Sequence, residues 1–218
     1  MPLATRFYPG RMDTALRAEL LRRMDIDQAA RHARDMAAVA AADADNLPWL
    51  QQVVAEHGWP GASMVGTDGA HAAWLLAQHA DRDPAFQREC LGLLAAAVEA
   101  GEATRSELAY LTDRVLLAEG QPQEYGTQVT VRDGQHVPNN LRDPDTADQR
   151  RAAMDLTPLA DYLKLFSEPP PQARQAWLRC PGCGAPAAFE PADGAEPVTV
   201  TCANCGRRAT IMIKRPGS

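Results

Sequence analysis

Four of the five cysteines fall into two short pairs, Cys180-Pro181-Gly182-Cys183 and Cys202-Ala203-Asn204-Cys205. No other feature restricts the fold so sharply. A C-x-x-C pair turns the chain tightly enough for two thiolates to approach one ion. Two such pairs about 18 residues apart have the spacing of a four-cysteine zinc site. Gly182, Gly184 and Gly206 let the backbone bend toward the metal. A redox role needs only one pair, and no thioredoxin-like βαβ pattern surrounds either. Pro197–Thr201 and Ala209–Ile213 read as strands flanking the second pair, and residues from about Trp177 to Ile213 look like a zinc ribbon. Four thiolates leave no open position, so one structural Zn2+ is expected, with metal binding driving the folding of a module that has little core.

This module sets two electrostatic characters side by side. From Trp177 onward five basic residues face Glu190, Asp193 and Glu196, a net of +2, while the whole chain carries −6, leaving −8 for the body. A chain-wide nucleic-acid footprint is excluded on that balance. The composition, 45% hydrophobic and 23% charged, is that of a globular protein. No run reaches the roughly 18 apolar residues of a membrane span. The first residues lack an apolar segment of signal-peptide length, so a cytoplasmic protein is expected.

The body reads as helical. Met12 to about Ala42 has a helix-like apolar recurrence, with a break expected near Asp25 and Asp27. Asn46 reads as the N-cap of a further helix with Pro48 in its first turn, ending at Gly58. Thr67 opens a helix to about Ala80, and Asp83-Pro84 one that runs to Gly101. Thr104 to Glu107 fits a capping box for a helix to about Ala118. Tyr125 to Val131 then alternates like a strand, and Asp133-Gly134 signals a hairpin. Asp143-Pro144 and Thr157-Pro158 start two short helices. Glu168-Pro169-Pro170-Pro171 reads as a stiff linker over residues 168–176, between a helical domain, 1–167, and the ribbon, 177–218.

His57 to Asp83 holds three of the five histidines and two of the four tryptophans. In the helix from about Ala70, the buried arc centres on Ala72, Leu75 and Leu76 and takes in His79, with Gln78 at its edge above His71. Gln87 falls on the apolar face of the next helix. Polar side chains on buried faces must find partners. Structural networks and active sites both produce such a pattern. As an active site, it would use His57 and His79 as acid and base. Asp81 or Asp113 would fix an imidazole tautomer. Tyr125, Trp59, Gln78, Gln87 and Gln128 would hold substrate. As structure, His57 would bond the last carbonyls of its helix, and His79 would be a satisfied core residue. The glutamines would be struts, and Trp59, Trp74 and Cys90 would be core. A second metal on His57, His79 and an Asp has no H-x-x-x-H pairing behind it. G-x-S-x-G, the P-loop and G-x-G-x-x-G are absent.

The motifs HGWPG, WLLAQHAD, LAYLTDRV, YGTQ and DPDTADQRR…LTPLADYL, in that order from about Leu16 to Leu165, resemble a bacterial family catalogued only as a domain of unknown function. That resemblance implies grouping and no activity; the zinc ribbon looks like an addition to the family's body.

The fold expected is mainly α, a helical domain with a small β-hairpin, followed by a small β zinc ribbon. Two functions compete. One is a small enzyme-like pocket acting by proton transfer on a small molecule or peptide. The other is a non-enzymatic adaptor whose body binds protein and whose ribbon docks protein or nucleic acid. Neither involves a membrane.

Overall fold

The computed structural model describes residues 12–167 and four short strands beyond them. It divides into two compact units, Met1–Leu163 and Lys164–Ser218. Seven helices and one two-stranded antiparallel sheet lie in residues 12–167, so the chain is mainly helical.

Helix α1, Thr14–His32, begins where the Asp13 carboxylate accepts from the Ala15 and Leu16 amides, and α2, Met36–His57, begins in the same way at Asp35. The break expected near Asp25 and Asp27 lies instead at Ala33–Asp35, with Arg34 in the left-handed region at φ 55°. Asp27 sits inside α1 because its position, with Leu20, Arg23 and Ala30, falls on the buried stripe. Asn46 and Pro48 do not start a helix either, since both lie inside α2. Val39, Ala42, Asn46, Leu50 and Val53 form one buried stripe across the proline. Burial on both sides therefore outweighs the missing backbone bond, which costs about 3 kcal/mol in an unsupported helix.

Gly58 ends α2 at φ 74°, as expected. Helix α3, Ala62–Gln78, starts earlier than the expected Thr67 but is kinked at Gly66, whose φ 76° and ψ 163° belong to a region open essentially to glycine. Regular helix resumes from Thr67. The start at Ala62 is held by Glu102, which accepts from the Ser63 amide at 2.6 Å through its side chain and from the Ala62 amide at 3.0 Å through its carbonyl. Helix α4, Pro84–Glu99, is capped by Asp83, and α5, Arg105–Ala118, has the expected capping box of Thr104 and Glu107. Leu20, Leu50, Val54, Val65, Leu76, Leu94 and Leu111 join the five helices in one core.

Strands β1, Val129–Arg132, and β2, Gln135–Pro138, pair antiparallel around Asp133-Gly134. Both turn residues have positive φ, 52° and 76°, as the tight hairpin requires. A 3-10 turn, Pro144–Thr146, leads into α6, Ala147–Ala153, and α7 spans Leu159–Ser167.

In the C-terminal unit β3, Ala176–Arg179, pairs antiparallel with β4, Pro186–Phe189, and β5, Val198–Thr201, with β6, Arg208–Ile211. The last pair matches the strands expected around the second C-x-x-C. The four paired cysteines and Glu168 to Pro171 lie outside the described residues.

Candidate functional site

The end of α3 gathers the polar residues. His79 caps the helix, its amide reaching the Leu75 and Leu76 carbonyls at 3.2 Å. Its ring turns to α1, where Nδ1 lies 2.9 Å from Oδ2 of Asp27, a carboxylate with no exposed surface. Asp27 also accepts from Gln28 Nε2 at 2.9 Å and from Arg31 Nε at 3.1 and 3.2 Å. Arg31 reaches on to Asp43 of α2 at 2.6 Å. Burial alone would raise the Asp27 carboxyl. The hydrogen bond and charge of His79, with Gln28 and Arg31, outweigh it and hold the carboxyl below its ordinary value. An ionised carboxylate only accepts, so Nδ1 carries a proton, and in the neutral form of the ring Nε2 is then the acceptor. Among the described residues Nε2 has no hydrogen-bond partner, and the side chain is 15% exposed.

Two residues on, Asp81 sits in the turn Ala80–Asp83, closed by the Asp83 amide on the Ala80 carbonyl at 3.0 Å. Arg114 of α5 grips it with two bonds, Nε to Oδ1 at 2.8 Å and Nη2 to Oδ2 at 2.7 Å. Its third nitrogen donates to Gln128 Oε1 at 3.1 Å. Gln87 Nε2 donates to Asp81 Oδ1 and to the Gln78 carbonyl, each at 3.1 Å. Burial would raise the Asp81 carboxyl. Arg114, Gln87 and the nearby charge of His79 together hold it below its ordinary value. Gln78 itself is 4% exposed, and its Oε1 is buried with no partner among the described residues.

The other expected site residues stand elsewhere. His57 ends α2, with Glu56 Oε2 3.7 Å away. Among the described residues no hydrogen bond or ion pair links it to His79 or Asp27. The structure does not bring the two histidines together. Asp113 is buried on α5 and bonds the loop after it, accepting from the Glu124, Tyr125 and Thr127 amides at 2.8–3.0 Å and from Thr127 Oγ1 at 2.9 Å. No imidazole is among its partners. Tyr125 is half-buried in that loop, and burial together with Glu124 and Asp113 raises its phenol. Trp59 is core, its Nε1 buried without a partner among the described residues. Burial pushes the Cys90 thiol far up, away from the reactive range.

Sequence reasoning missed Asp27 and Arg31. Their signal was available, since Leu20, Arg23, Asp27 and Ala30 recur at helical spacing, which puts a carboxylate on an apolar stripe. Gln123 and Arg151 were missed as well. Gln123 Nε2 donates to the Gln128 carbonyl at 2.9 Å, and Arg151 donates to the carbonyls of Thr157 at 2.6 Å and Tyr125 at 2.7 Å. Both brace the loop that carries Gln128.

Among the described residues no cluster of three or more His, Cys, Asp or Glu side chains is arranged for a metal. No described helix is long and apolar enough to cross a membrane. No curated protein and no solved structure matches the chain. A family model, described as a family of unknown function, does match over residues 11–170, most of the chain. The chain therefore belongs to that family, DUF6624.

Proposed function

We propose that the helical body is a small acid–base enzyme in which His79 transfers the proton and Asp27 orients it. The observation that carries the reading is the asymmetry of the imidazole. One nitrogen is fixed by a fully buried carboxylate, and the other has no partner among the described residues. Neutral His79 takes a proton at Nε2 from a bound O–H or N–H. The imidazolium that forms is stabilised by Asp27, and the proton returns to the departing group. Arg31, tied to Asp43, keeps Asp27 charged and in place. Arg114, Gln87 and Gln128 form the polar wall beside it, where a small molecule or peptide would be held. His57 and Asp113 take no part in this scheme.

The test is a panel of chromogenic esters, amides and phosphoesters offered to the full chain. Turnover should fall by about a hundredfold or more in His79→Ala, fall strongly in Asp27→Asn and persist in His57→Ala. Turnover indifferent to His79→Ala would refute the reading. The competing reading is an adaptor, favoured by the way Asp27 and Arg31 link α1, α2 and α3. It expects no turnover and a body that only binds protein.

For the C-terminal unit the proposal is a zinc ribbon with one structural Zn2+ on Cys180, Cys183, Cys202 and Cys205. Two observations support it. Cys180 follows directly on β3 and Cys202 directly on β5. Each C-x-x-C thus falls in the link of an antiparallel strand pair, the setting in which two thiolates turn toward one ion. Elemental analysis of the full chain should find a single zinc, lost in Cys180→Ser without loss of the body's helicity. Helicity that collapses throughout the protein on chelation would contradict two independent units. The ribbon's basic residues suit docking to protein or nucleic acid, and the body is assigned to the cytoplasm.

A further inference from the structure

Helix α7 is fastened differently from the helices of the core. Among the described residues α5 buries five, whereas α7 buries one, Tyr162 at 8% exposure, and Leu165 beyond it is 73% exposed. A helix with so little buried apolar surface opens more easily than the core. The socket for Tyr162 is nonetheless specific. Its ring meets the Tyr110 ring edge-on at 6.2 Å, and the Arg151 guanidinium lies 4.9 Å from its centre. Its hydroxyl donates to the Thr127 carbonyl at 2.7 Å.

What α7 covers is the loop that carries Gln128. Leu159 lies against Gly126, where an added Cβ would come within 3.2 Å of its Cδ1. Arg151 ties the same place together, donating to the carbonyls of Tyr125 in the loop and Thr157 just before α7. The Thr127 carbonyl held by Tyr162 and the Gln128 amide belong to one peptide unit. From that unit Gln128 reaches the polar wall. Its Nε2 donates to Thr127 Oγ1 at 3.2 Å, and its Oε1 accepts from Arg114 Nη1 at 3.1 Å. Arg114 holds Asp81 with its other two nitrogens. The chain also leaves the first compact unit inside α7, between Leu163 and Lys164. A load on the C-terminal unit therefore reaches α7, along the chain, before any other helix of the body.

We infer that α7 is a releasable strap on the polar wall formed by Arg114, Asp81 and Gln128. Docked, Tyr162 fixes the Thr127–Gln128 peptide and keeps Gln128 on Arg114. Released, it lets the Gln128 side chain swing away, and Arg114 Nη1 becomes a free donor to a bound ligand while Nε and Nη2 stay on Asp81. Asp113 continues to hold the Tyr125 and Thr127 amides, so the loop loosens at Gln128 and does not unfold. The inference rests on the acid–base reading of His79 for the site that the strap regulates.

The experiment is hydrogen exchange by NMR on the full chain, with the Arg114 Nε–H signal reporting on the wall. In the parent protein the Leu163 amide of α7 should exchange roughly a hundredfold faster than that of Leu111, because α7 opens without global unfolding. Tyr162→Phe keeps the ring and removes the hydroxyl. Leu163 exchange should then rise about tenfold, and the Arg114 signal should move toward its position in Gln128→Ala. Tyr162→Ala should complete that move, with protection at Leu50 and Leu111 retained as the check on folding. If Tyr162→Ala does not fold, Tyr162→Phe decides alone. A helix that serves only as packing exchanges with the core and leaves Arg114 unmoved. Leu163 exchange as slow as that of Leu111, or an Arg114 signal unchanged in Tyr162→Phe, would each overturn the inference. The two readings fail separately. Turnover indifferent to His79→Ala overturns the acid–base reading and leaves the strap standing on its exchange data. Turnover that needs His79, with Arg114 unmoved, overturns the strap alone.

Discussion

Nδ1 of His79 and Oδ2 of Asp27 are 2.9 Å apart and come from the end of α3 and the interior of α1, so one hydrogen bond both joins two helices and fixes an imidazole. Replacing Asp27 by Asn tests the pair through stability. The substitution removes a buried charge that faces His79 and Arg31, and a loss of about 3 kcal/mol is expected at neutral pH. Folding holds the Asp27 carboxyl below its ordinary 3.8. Its contribution is therefore complete above that value and is lost as pH falls through the lowered one. Urea denaturation should show the gap between parent and Asp27→Asn wide at about pH 5 and narrowing toward about pH 2. A gap that widens on acidification would contradict the assignment.

Asp113 acts on the backbone. Its two oxygens accept three amides and a hydroxyl from Glu124 to Thr127. Asp113→Ala should cost about 3 kcal/mol, since bonds to a charged acceptor contribute about 1.5–3 kcal/mol each and the loop relaxes in part. Hydrogen exchange should speed up at the Tyr125 and Thr127 amides while α1 and α2 keep their protection. Unchanged exchange at Thr127 would mean that the loop is held by other groups.

Gly66 is needed for its backbone. At φ 76° a Cβ would lie 3.0 Å from Asp68 Oδ1 and 3.3 Å from Arg17 Nε, the two side chains that clamp the kink of α3. Gly66→Ala should destabilise the body by about 2 kcal/mol or more, measured as a fall in urea midpoint. Gly92, with nothing near its Cβ and helical surroundings, should tolerate alanine or gain from it.

Pro48 gives the opposite sign. It interrupts α2 between buried Asn46 and Leu50. Pro48→Ala restores one helical bond and should raise stability by about 1–2 kcal/mol after the entropy regained by the unfolded chain. A lower melting temperature would mean that the proline ring packs better than an alanine does.

Much of this was legible in the sequence, because helix periodicity and capping chemistry are local. Asp83-Pro84, the Thr104–Glu107 capping box, Gly58 and the Asp133-Gly134 hairpin all act where their residues announce them. Asn46 and Pro48 misled because tertiary burial on both sides outweighed a local stop signal. Asp25 and Asp27 misled because an acidic residue inside a helix reads as exposed unless its partner is known, and His79 is 52 residues away from Asp27. The candidate site was legible in part for the same reason. The helical arc marked His79, Gln78 and Gln87 as polar groups on buried faces. The pairing of His79 with Asp27, and of Asp81 with Arg114, depends on how α1 and α5 pack on α3, which no local pattern states.

The most direct measurement is the tautomer of His79, read from the nitrogen chemical shifts of its imidazole in the full chain at a pH where the ring is neutral. The account requires a proton on Nδ1, held by Asp27, and a bare Nε2. A neutral ring protonated at Nε2 would contradict it, because the open nitrogen could then accept nothing, and His79 would be a strut between helices.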